Sequence, residues 1–148
     1  MKFEEAVVKL FEFSEDLRSM RDELVSVADT MANGVERIHI ICAIKEIDII
    51  RVMLLGQYEL LDTSRIVQVE YLAAYYERRL EILEMTRSQL AVHADEMVAI
   101  GGVIESGRAV EWIERASRQV RSSIQIVDAI VGLLESRAMA AAKDQTLH

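Results

Sequence analysis

The chain has 148 residues, no proline, six glycines, 51% hydrophobic residues and a formal charge of −8. Long helices exclude proline from their interiors, so the composition favours helix. The aliphatic content speaks against disorder, and the acidic balance disfavours a general nucleic-acid binder, whose phosphate contacts need a basic surface. The length suits one domain, 1–148, with a sizeable core. Val35 to Leu61 is the most apolar stretch. Arg37, His39, Lys45, Glu46, Asp48 and Arg51 interrupt it, so no membrane span is expected. The opening Met1-Lys2-Phe3-Glu4-Glu5 turns acidic where a secretory signal would turn apolar. The single cysteine, Cys42, cannot make an internal disulfide. These features lead to the expectation of a cytoplasmic protein.

The first element is a helix predicted over 3–32. Leu10, Phe13, Leu17, Met20, Leu24, Val27 and Met31 follow one another at spacings of three and four. Asn33-Gly34 stops it, since both residues tolerate the left-handed conformation.

The second helix is predicted over 35–61 and is apolar on two sides. Ile38, Ile41, Cys42, Ile49, Val52 and Met53 form one side, and Ile40, Ile44, Ile47, Leu54 and Leu55 the other. A helix apolar on two faces is buried on two faces, either between several neighbours or in an oligomer contact, for which the second set is the candidate interface. The rival is a pair of strands, because Ile38-His39-Ile40 and Ile47-Asp48-Ile49 alternate. Against it, Ala43-Ile44-Lys45-Glu46 contains no turn-forming residue.

The third helix is predicted over 63–100, with N-cap candidates in Asp62-Thr63-Ser64. Gly56 would end or bend the helix before it. The stripe runs Ile66, Val69, Ala73, Tyr76, Leu80, Leu83, Arg87, Leu90, Ala94 and Met97, with Arg87 covering the seam by its aliphatic stem. At Gly101-Gly102 the stripe loses phase. A new one begins at Val110, Ile113, Ser117, Val120, Ile124, Val127, Val131 and Leu134. The fourth helix is therefore predicted over 107–140, with Ser106 as N-cap and a frayed tail from Lys143. Short connections make neighbouring helices antiparallel. The expected fold is all-α, an elongated antiparallel up-down four-helix bundle with coiled-coil-like packing.

Few residues suggest chemistry. Glu36-Arg37-Ile38-His39 has the Glu-x-x-His spacing of dimetal bundles, but such a site needs two copies and a glutamate from each remaining helix. His39 and His93 lack the surroundings of a phosphoacceptor histidine. Cys42 lies on an apolar face, where a thiol is inert, and Lys45 one turn away is the only hint of activation. The segment 101–107 is rich in glycine but lacks the Lys-Ser/Thr ending of a phosphate loop. Catalysis is not expected, and no cofactor is implied.

Two surface features remain. Arg108, Arg115 and Arg118 share one flank of the fourth helix, as a docking surface or, on the plainer expectation, paired with Glu77, Glu81 and Glu84 of the third. Tyr71, Tyr75 and Trp112 are the candidates for a ligand pocket between helices. The leading expectation is a non-enzymatic interaction module or self-associating bundle, a dimer by preference, of the kind a small acidic chaperone or adaptor would be. The alternatives are a small-molecule sensor and a metal-binding bundle on Glu36 and His39.

Overall fold

The computed structural model describes residues 1–62 and 69–147. The elements are α1 (Phe3–Asp29), α2 (Val35–Asp62), a 3₁₀ turn (Val69–Tyr71), α3 (Leu72–Gly101) and α4 (Gly107–Leu147). No strand occurs among the described residues. Residues 43–46 lie within α2, which disposes of the strand pair. Helix α1 packs on α2 and α4, and α3 packs on α4 and α2. The result is an antiparallel up-down four-helix bundle, as the short turns require.

The core is built from four stripes that return every seventh residue. Leu10, Leu17 and Leu24 come from α1, and Ile40, Ile47, Leu54 and Leu61 from α2. Tyr76, Leu83, Leu90 and Met97 come from α3, and Ile113, Val120, Val127 and Leu134 from α4. Seven residues are almost two helical turns, so each stripe holds one face toward the axis over the length of the helix. Each large aliphatic side chain taken fully from water contributes about 1.5–3 kcal/mol.

Polar ties fix the register around this core. Arg21 Nε donates to Asp48 at 2.8 Å between α1 and α2. His93 Nδ1 lies 2.5 Å from Glu46 Oε2 between α3 and α2. Arg87 pairs with Asp128 between α3 and α4, and Arg137 with Glu4 at 2.9 Å between α4 and α1. Arg87 thus reaches out of its stripe as its long side chain allows, with its guanidinium charge held by the aspartate.

The helix ends differ from expectation in instructive ways. Helix α1 stops at Asp29, three residues early. No residue there or elsewhere among those described has a positive φ, so the left-handed ending predicted at Asn33-Gly34 is not used. The Thr30 hydroxyl donates to the Val27 carbonyl at 2.8 Å, and Arg37 Nε donates to the Ala28 carbonyl at 3.1 Å. A guanidinium from the next helix does what a left-handed glycine would have done. Helix α2 runs straight through Gly56 to Asp62. The predicted start of the third helix at 63, including Thr63, Ser64 and Ile66, lies outside the described residues. Helix α4 runs on to Leu147, past the predicted end at 140 and through the predicted fray. Its last turns include Ala138 and Ala141, strong helix formers that also pack on the core.

Candidate docking surface

The outer face of α2 is the most unusual surface of the molecule. Val35, Ile38, Cys42, Lys45, Ile49, Val52 and Gly56 follow one another at spacings of three and four. The first six of these are exposed and Gly56 is partly so. The four large ones stand 70% (Val35), 58% (Ile38), 43% (Ile49) and 70% (Val52) open to solvent. Flanking Ile41, Met53 and Leu55 are half-buried. The stripe lies directly opposite Ile40, Ile47 and Leu54, which are in the core. A straight apolar ridge of about 30 Å, with one lysine at its middle, therefore faces solvent.

This placement inverts the sequence-based assignment. Ile40, Ile44, Ile47 and Leu54, assigned to an interface, are buried within the bundle, and Leu55 is half-buried at the edge. The other apolar side supplies Ile38, Cys42, Ile49 and Val52 to the surface. The two faces are similar in composition, so periodicity revealed both stripes without showing which one turns inward.

The acidic groups flanking Lys45, at the middle of the ridge, are occupied within the chain. Asp48 accepts from Arg21 and lies 3.8 Å from Arg51, and Glu46 holds His93. The Arg21 guanidinium is held more firmly charged by its hydrogen bond to Asp48. Lys45 has no ion-pair partner among the described residues.

The expected basic flank is dispersed. Arg108 lies 3.7 Å from Glu23 of α1. Arg115 bonds Glu111 on its own helix at 2.7 Å and covers the Trp112 ring at 4.7 Å. Arg118 pairs with no carboxylate among the described residues. The plainer expectation, pairing with Glu77, Glu81 and Glu84, also fails. The antiparallel register set by Arg87 and Asp128 puts those glutamates at the far end of α4. Glu81 takes Arg78 of its own helix instead.

The three pocket aromatics are not brought together. Tyr71 and Tyr75 are at the start of α3, whereas Trp112 is beside its end, about 40 Å away along the helix. The Tyr75 hydroxyl donates to the Leu60 carbonyl at 2.5 Å, and its ring lies edge-on to Tyr76. An open groove of about 440 Å³ does occur near Trp112, between the end of α3 and the start of α4. Val98, Gly101, Val110 and Ile113 form its apolar part, and Arg118, Arg121 and Glu114 its charged rim. Neither of those arginines has an ion-pair partner among the described residues.

Glu36, a candidate metal ligand, has another task. Its Oε1 accepts the backbone N–H groups of Glu105 at 2.6 Å and Ser106 at 2.7 Å, which closes the α3–α4 turn over the start of α2. Ser106 also acts as the predicted N-cap, its hydroxyl accepting from the Ala109 N–H at 3.4 Å. His39 stays half-buried on α2, and no group of three potential metal ligands gathers among the described residues. No helix among them is long and apolar enough to cross a membrane. No family model, curated protein or solved structure matches this chain.

Proposed function

We propose that the chain is a non-enzymatic protein–protein interaction module that docks a helix on the outer face of α2. One observation carries this reading: Val35, Ile38, Ile49 and Val52 are exposed in heptad spacing on a helix whose opposite face already forms the core. Contiguous apolar surface on this scale marks interaction sites. A straight ridge with spacings of three and four matches the groove or seam offered by another helix. Each of the four side chains is about half to two-thirds exposed, so covering it would contribute roughly 1 kcal/mol. A reducing, cytoplasmic setting is part of the proposal, because Cys42 sits in the middle of the ridge as an exposed free thiol.

The test is site-specific photocrosslinking in the host cell. A photoreactive residue replaces Ile38 or Val52 in the full chain, and a control replaces the exposed Met139 of α4. Adducts at positions 38 and 52 but not 139 are the expected result. Equal adducts at all three, or none at any, would overturn the reading.

A second reading is favoured by the groove between α3 and α4: binding of a small ligand with an apolar body and an acidic end. Its support is the pairing of apolar walls with two arginines that have no ion-pair partner among the described residues. Titration with a medium-chain carboxylate, followed by heteronuclear NMR, should shift the amides of Val98, Val110 and Ile113. Those shifts should disappear in Arg118→Ala/Arg121→Ala. Shifts spread over all four helices would reject it.

A further inference from the structure

We infer that the occupant of the α2 ridge is a second copy of this chain, α2 against α2 in antiparallel orientation. This inference rests on the docking reading above and adds the identity of the partner and its direction.

The argument starts from the seam positions. Lettered as a heptad, Val35, Cys42, Ile49 and Gly56 occupy the a positions, and Ile38, Lys45 and Val52 the d positions. In an antiparallel pair each a residue meets a d residue of the other helix. A twofold axis makes every such contact occur twice. With the axis passing between Ala43 and Ile44, Val35 meets Val52 of the other copy, Ile38 meets Ile49, and Cys42 meets Lys45. The ridge is therefore self-complementary over 35–52: the four outer layers are wholly aliphatic and the two central ones pair the lysine with the small cysteine.

The parallel alternative stacks Lys45 on Lys45. Two ammonium groups in one partly desolvated layer repel strongly, and the acids on either flank of Lys45 are already engaged. Asp48 is taken by Arg21 and Arg51, and Glu46 by His93. The same ties help the antiparallel pair form. Each chain carries a charge of −8, yet the acids flanking the middle of the seam are held within their own copy, Asp48 by Arg21 and Glu46 by its hydrogen bond with His93.

The overlap is about 27 Å long, one face of an 18-residue helix. Such a seam buries roughly 1,000 Å² in total, at the lower limit for a specific interface. A seam of this size suits a reversible dimer rather than an obligate one.

Sedimentation equilibrium of the full chain, from low micromolar to millimolar concentration, tests the partner. A monomer–dimer equilibrium is expected. Ile49→Glu places two carboxylates in the seam and should weaken the dimer by about 100-fold or more. Its helical circular dichroism should be unchanged, because position 49 is exposed in the single chain. Met139→Glu should leave the dissociation constant as it is.

Direction is read by disulfide trapping in a Cys42→Ser background. Chains carrying Val35→Cys and chains carrying Val52→Cys are mixed and oxidised. Links from 35 to 52 are expected, whereas links from 35 to 35 would overturn the antiparallel seam. A dimer indifferent to Ile49→Glu would overturn the choice of face. A chain that stays monomeric while position 52 crosslinks to a different protein would overturn the second copy and leave the docking reading standing. A monomer with no adducts at 38 or 52 would remove both.

Discussion

Glu36 stands on α2, yet the backbone it serves belongs to the turn that starts α4. Its carboxylate accepts two N–H groups, those of Glu105 and Ser106, that would otherwise lie unpaired at a helix start. Glu36→Ala should therefore lower stability by about 1–2 kcal/mol, read as a fall in the urea midpoint. Nothing in the sequence shows this role, because the partners are 69 and 70 residues away. The Glu-x-x-His spacing drew notice to Glu36 as a candidate metal ligand, and the structure gives its carboxylate a role in the turn. Glu4 is a second case. Its carboxyl is held below the usual range, first by its own backbone N–H at the start of α1 and then by Arg137. A carboxyl with a lowered folded pKa stabilises above its unfolded pKa and loses that contribution as pH falls through the folded value. The difference in urea midpoint between the native chain and Glu4→Gln should be present at neutral pH and vanish in acid. The group is exposed, so the difference will be small.

The glycines separate what an element needs from what its neighbours need. Gly132 lies inside α4, and a Cβ there would meet nothing within 4 Å. Gly132→Ala should raise stability by about 0.5–1 kcal/mol, since glycine costs a helix that much. At Gly101 the same change brings the new Cβ to 3.3 Å from Ile113 Cγ2. Gly101→Ala should show no such gain, and the pair of thermal midpoints measures the contrast. Helix existence was readable because spacings of three and four persist over about six to nine turns in the first, third and fourth stripes. Helix ends were less so. They depend on Arg37 reaching Ala28, or on alanines near 140 finding a surface to pack on, which are contacts between elements.

The bundle as a whole is unevenly joined. Helices α1 and α2 pair closely, as do α3 and α4, and α1 joins α4, but the α2–α3 seam is the thinnest of the four. Two buried polar groups of these helices, Gln57 Oε1 and the Arg79 Nε and Nη1 atoms, have no hydrogen-bond partner among the described residues. Among the described residues, the His93–Glu46 contact and the Tyr75–Leu60 hydrogen bond are the polar ties between α2 and α3. His93→Ala should speed amide hydrogen exchange in α2 and α3 more than in α1 and α4. Equal acceleration in all four helices would show that the bundle opens as one unit.

By itself the sequence pointed to four helices in antiparallel order and to most of the inner stripe of α1, α3 and α4, since periodicity and short turns are local properties of a chain. It also determined that α2 carries two apolar faces. Which face is covered was decided only in three dimensions. The rotation of a helix about its own axis is set by the neighbours that pack on it. Here the close packing of α1, and the Glu46–His93 and Arg21–Asp48 ties on either flank, turn Ile40, Ile47 and Leu54 inward and leave Val35, Ile38, Ile49 and Val52 in water.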